Sequence, residues 1–126
     1  MAAAGDEWAA VMFFYAAYQR MRAALLEDPT FDSAAGCAAR HVDLRPEDRH
    51  ATRHHGRRSR NQFFEFGVNE IVQILYPGSI GAYDQLHQMS IQVRYERGLV
   101  PDLRAVVEAW ERFRKLDEEG ALTGRP

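Results

Sequence analysis

The chain has 126 residues, 46% apolar and 27% charged, with a formal net charge of −2. That length fits one domain with a modest core, and the balanced composition excludes wholesale disorder. The longest apolar run, Trp8 to Tyr18, is 11 residues, too short to cross a bilayer and preceded by no basic leader.

The near-neutral total also argues against a globally basic nucleic-acid binder. Cys37 is the sole cysteine, so no internal disulfide forms, and a cytoplasmic, soluble protein is expected.

From Asp6 to about Leu26, apolar residues at Trp8, Val11, Met12, Tyr15, Tyr18, Met21 and Leu25 keep the spacing of a helix, with Asp6 as N-cap and Pro29 as its end. Phe13, Phe14, Tyr15 and Tyr18 go round this helix almost completely. They cannot all face inward in a small bundle, so Phe13 and Phe14 are expected at a dimer interface, and Phe63 and Phe64 of the next helix with them. Residues 28–58 read as a long polar loop with, at most, a short helix after Pro46.

A second helix is expected from the capping pair Ser59 and Gln62 through Phe63, Phe66, Val68, Ile71 and Leu75 to Tyr76, stopped by Pro77-Gly78. The third runs from Ser79 or Ile80 to about Arg97, before Gly98. The fourth starts near Pro101-Asp102, places Leu103, Val106, Val107, Trp110, Phe113 and Leu116 on one stripe, and ends before Gly120. The tail, 119–126, is expected to fray. No alternating strand pattern and no repeat interrupts this order. The sum is a single all-α domain over 1–126, a four- to five-helix up-and-down bundle.

Charge is unevenly spread. Between Arg40 and Arg60 lie seven arginines and four histidines against three acids, Asp43, Glu47 and Asp48. Guanidinium forks match phosphate oxygens, so Arg45, Arg49, Arg53, His55, Arg57, Arg58 and Arg60 are the expected contacts to RNA or to an acidic protein. If that stretch were helical, Arg49, Arg53, Arg57 and Arg60 would form one outward stripe. Arg49 and His54 form the candidate catalytic pair, a histidine to move a ribose hydroxyl proton and an arginine to hold the phosphate charge. His50 and His54 at i, i+4 lack an acid or cysteine to complete a zinc site, so no metal and no other cofactor is expected.

The segment YDQLHQMSIQVRY, Tyr83 to Tyr95, resembles the Tyr-x-x-Leu-x-x-x-Ser-x-x-x-Arg-Tyr signature of HEPN-like helical proteins, carried here by Tyr83, Leu86, Ser90, Arg94 and Tyr95. WAAVMFFYAAYQ, Trp8 to Gln19, resembles the aromatic first helix that precedes it. The resemblance implies a bundle that commonly dimerises and a setting in phage defence, toxin–antitoxin systems or phage genomes. Catalytic members are ribonucleases with an Arg…His motif near a late helix. No histidine follows His87 in this chain, so the resemblance implies a binding module rather than an enzyme; a metal-independent endoribonuclease using Arg49 and His54, and a pure assembly or inhibitor protein, are the alternatives.

Overall fold

A computed structural model describes the backbone of residues 4–54, 56–58, 64–95 and 103–122, and the side chains of these except 4–7, 57, 58, 64 and 93–95. Within them the chain is all-α, built from α1 (Ala4–Glu27), α2 (Ala34–Arg40), α3 (Val68–Leu75), α4 (Ile80–Tyr95) and α5 (Leu103–Glu118). Two 3-10 turns, Pro29–Asp32 and Pro46–His50, and a two-residue antiparallel ladder, β1 (Arg57–Arg58) against β2 (Phe64–Glu65), complete it.

The three long helices pack on one another pairwise. Phe13 stacks on Trp110 with ring centroids 5.2 Å apart, and Arg20 pairs with Asp117, so α1 and α5 run parallel. Tyr83 meets Phe113, and Arg112 donates to Gln85, so α4 runs against both. Ala10, Ala17 and Ala24, seven residues apart and buried, line one side of α1 and let its neighbours approach closely. Phe14, Met21, Leu25, Ile71, Leu75, Tyr76, Leu86 and Phe113 fill the space between the helices.

The first helix corrects the expectation drawn from its aromatic sequence. Phe14 is 0% exposed and sits at the centre of the core, while Phe13 is half-buried against Trp110, so neither is the outward residue of α1. That face belongs to Trp8, Met12 and Tyr15. Phe63 lies outside the described residues, and only the backbone of Phe64 is described.

The stretch 28–58 is not a continuous loop. Ser33 caps α2 by accepting from the Gly36 N–H at 3.0 Å, and the Ala-rich run that follows is good helix material. Asp28 ties four pieces together: Oδ1 accepts from the Thr30 N–H, Oδ2 from the Tyr76 hydroxyl at 2.8 Å, and its carbonyl from Arg49. The carbonyls of Ile74 and Leu75, at the end of α3, accept from Arg40, a cation placed where the helix dipole favours one.

Gly36 is required by proximity. A Cβ there would stand 2.8 Å from the Thr30 carbonyl oxygen, which belongs to backbone held by the Asp28 cap. Gly36→Ala is therefore expected to destabilise the protein by about 1–3 kcal/mol, read as a lower urea midpoint. An unchanged midpoint would mean that the turn yields freely.

The second helix begins later than the capping pair predicts. Phe64 and Glu65 are extended, Gly67 is the N-cap, and α3 starts at Val68; Ser59 and Gln62 lie outside the described residues. The start is set from a distance, by the Arg53 and His54 carbonyls, which accept from the Val68 and Asn69 N–H groups at 2.6 and 2.9 Å.

At the other end, α5 closes as expected before Gly120, which has φ 88°. Gly120 N–H donates to the Asp117 carbonyl and Ala121 N–H to that of Leu116, the paired bonds of a Schellman motif. This turn folds the tail back. Leu122 is buried in the core, contrary to the expected fraying from 119. Residues 96–102 and 123–126, with the expected third-helix end at Arg97-Gly98, lie outside the described residues.

Candidate partner-binding surface

Among the described residues the basic segment is a 3-10 turn, Pro46–His50, followed by non-helical chain and the short strand Arg57–Arg58, so Arg49, Arg53 and Arg57 do not share the helical stripe that their spacing would allow. Its backbone is fastened at successive points. The Tyr18 hydroxyl donates to the Thr52 carbonyl. The next two carbonyls cap α3, and the Gly56 N–H donates to Glu70, whose carboxylate also accepts from Gly67 at 3.5 Å. The α3 N-terminus is thus filled by the protein's own groups. What the segment leaves outward is side chain.

The arginines divide into two sets. Arg40 and Arg49 are structural: Arg49 bonds the Asp28 carbonyl, pairs with Asp32 at 2.7 Å and lies over the Phe31 ring. Arg45 and Arg53 are exposed. Among the described residues Arg53 has no ion pair. Arg57 and Arg58 follow in extended backbone, opposite Glu65 and Phe64, and Arg60 and His55 lie outside the described residues. A cleft of about 300 Å³ beside them is lined by Arg45, His50 and Arg53, and also by Glu47, Asp48 and Glu65, so its charge is mixed. Burial pushes the Asp48 carboxyl up, against the lowering effect of the hydrogen bond from Arg45 N–H and of the Arg45 charge.

The candidate pair Arg49 and His54 is not brought together by these contacts. Arg49 makes its contacts at Asp28, Phe31 and Asp32, just past the end of α1. His54 packs on Phe14 and Tyr18, with centroids at 5.3 and 4.7 Å. Tyr18 lies nine residues before Glu27, about 13 Å along a helix. Nor do His50 and His54 share a helix, and among the described residues no group of His, Cys, Asp and Glu is placed to hold a metal.

His54 instead meets a residue that the spacing did not single out. Its imidazole lies 5.3 Å from that of His87, which is buried on α4, stacked on Phe14 at 4.6 Å and bonded through Nδ1 to the Asn69 amide at 3.1 Å. The two histidines are 33 positions apart, and no local pattern in the sequence announces the contact. Its effect is mechanical. The His54 ring inserts between α1 and α4 and bolts the basic segment to the bundle. His41, half-buried and outside that cluster, sits edge-on to Phe66 and accepts from the Asp43 N–H.

The signature residues are core. Tyr83, Leu86 and Ser90 are fully buried on one side of α4; Arg94 and Tyr95 fall in its last turn, where only the backbone is described. A second cleft, of about 460 Å³, opens between α3 and α4, with Glu70 and Asp84, the amides Asn69 and Gln73, and Ile80 and Gly81 on its walls.

Fold and surface together define a helical bundle that presents a fixed basic segment, and among the described residues no helix is long and apolar enough to cross a membrane. No family model matches the chain, and neither a curated protein nor a solved structure does.

Proposed function

We propose that this bundle is a non-catalytic RNA-binding module that grips the phosphate backbone along residues 45–58. The supporting observation is the way the segment is held: the carbonyls of Thr52, Arg53 and His54 and the N–H of Gly56 are all bonded inward, which fixes the chain while leaving the Arg53 guanidinium exposed. Because the backbone is already held, binding need not order the chain itself, and less of each charge-assisted bond is spent on that ordering. The acids of the neighbouring cleft limit that affinity and favour a short single-stranded contact over a long duplex track. Kinship to HEPN-like proteins belongs to the same proposal, supported by the burial of Tyr83, Leu86 and Ser90 on one face and by the helix order. A role in phage defence or a toxin–antitoxin pair would follow from that kinship.

The test is the affinity for labelled single-stranded RNA at several salt concentrations, in EDTA. Binding is expected to weaken with salt by a slope of about −0.7 per phosphate contact, and Arg53→Ala to make the slope shallower by about that amount. Arg20→Ala, which removes a guanidinium already paired with Asp117, serves as the unaffected control. RNA bound equally well by the Arg53 and Arg57 variants would sink the reading. Failure of the wild type to bind RNA would redirect it to an acidic protein. Cleavage abolished by His54→Ala would replace it with the endoribonuclease.

A further inference from the structure

We infer that the cleft of mixed charge beside the basic segment takes one guanine base of the bound strand, with the Glu47 carboxylate reading its donor edge. The inference rests on the RNA reading and adds to it the base that the strand must carry. The cleft measures about 300 Å³, at the lower end for small-ligand sites, so it admits a single base and no base pair. Arg45 and Arg53 share its wall with Glu47, Asp48, Glu65 and His50. A cleft built only for phosphate would exclude carboxylates, which repel it. Acids in the wall call for a ligand that brings hydrogen-bond donors as well as negative charge.

Chemistry names the base. Guanine sets two parallel donors, N1–H and N2–H, beside the acceptors O6 and N7. A carboxylate accepts from both donors at once, and a guanidinium donates to both acceptors. Adenine, cytosine and uracil each place an acceptor next to a donor on that edge, so one carboxylate oxygen would face a lone pair. Only an unpaired base exposes the edge, which agrees with a single-stranded contact. Elimination assigns the reading to Glu47. Asp48 gives Oδ2 to the Arg45 N–H at 2.8 Å, and Glu65 stands opposite Arg57 in the two-residue ladder. Glu47 is exposed and, among the described residues, takes part in no hydrogen bond or ion pair, so both its oxygens are available. His50, exposed at the end of the same 3-10 turn, offers a ring on which the base can stack.

Labelled oligouridine, unmodified or with one central G, A or C, separates the base from the grip, because all four strands carry the same phosphates. In EDTA at low salt the G strand should bind at least about tenfold tighter than the others. Glu47→Gln replaces the acceptor pair with one acceptor and one donor, the pattern that meets adenine, so the preference should pass to the A strand. Were Glu47 only repelling phosphate, the variant would strengthen all four alike. Its helical circular dichroism should match that of the wild type, since the side chain is exposed. Guanosine, which has no phosphate, should shift the His50 imidazole resonances where adenosine does not. Equal affinity for the four strands would overturn the inference and leave the phosphate grip standing. Guanosine indistinguishable from adenosine, or a Glu47→Gln protein that still prefers guanine, would overturn it as well. Guanosine bound with every strand refused would sink the RNA reading and keep the guanine pocket.

Discussion

Phe14→Ala is expected to lower the unfolding free energy by about 3–5 kcal/mol, the range for deleting a buried aromatic ring. For a domain of this size that is a large fraction of the whole. The ring is 0% exposed and touches four others besides its chain neighbour Tyr15: His87 at 4.6 Å, His54 at 5.3 Å, Tyr83 at 5.6 Å and Tyr18 at 6.2 Å. These come from α1, from α4 and from the basic segment, so one deletion opens a cavity where three parts of the chain meet. The void is bordered by imidazoles and phenols, which lose van der Waals partners without gaining water.

Two readouts separate this from an ordinary core defect. Urea unfolding followed by tryptophan fluorescence gives the stability loss, with Tyr15→Ala, at 40% exposure, as a neighbour expected to lose far less. Hydrogen exchange at the Val68 and Asn69 amides, whose acceptors are the Arg53 and His54 carbonyls, gives the second. Their protection should fall more than that of α5, because the His54 ring loses its seat. A loss below about 1 kcal/mol, or uniform loss of protection, would show that Phe14 is not the keystone of this junction.

The same junction shows where the sequence could be read and where it could not. The ends of α3 and α5 rest on local chemistry, so Pro77-Gly78 and Gly120 announced them. The inner and outer faces of α1 were not separable, because apolar residues surround it; Phe14 and Met12 differ only in what the rest of the chain places against them. Residues 28–58 looked like one loop since their order comes from bonds between distant positions. Asp28 to Tyr76, Arg49 to Asp28 and Tyr18 to Thr52 span 48, 21 and 34 residues. Of the site, the exposed arginines were legible from composition. The engagement of Arg49 with Asp32, and the meeting of His54 with His87, were not, since neither leaves a periodic trace.

Alkali should unfold this protein steeply, and two buried phenols supply the reason. Tyr76 and Tyr83 are both 0% exposed. Burial pushes the Tyr76 hydroxyl far above its usual range, helped by its bond to Asp28 and by that carboxylate's charge; burial does the same to Tyr83, with smaller contributions from Tyr18 and Asp84. Below about pH 10 the folded and unfolded chains both hold these protons, and stability is independent of them. Above it the unfolded chain releases two protons that the folded chain retains, so stability falls with rising pH. The slope is about 1.4 kcal/mol per pH unit for each phenol, hence about 5 kcal/mol for the pair between pH 10 and 12. Phenolate absorbance should accordingly show a late phase that coincides with loss of helical circular dichroism. Tyr83→Phe sharpens the test, because among the described residues the Tyr83 hydroxyl has no hydrogen-bond partner. Removing an unsatisfied buried hydroxyl should raise stability at neutral pH by about 1 kcal/mol while halving the alkaline slope. A Tyr83→Phe variant with the wild-type slope would show that its phenol does not hold the proton that the argument assigns to it.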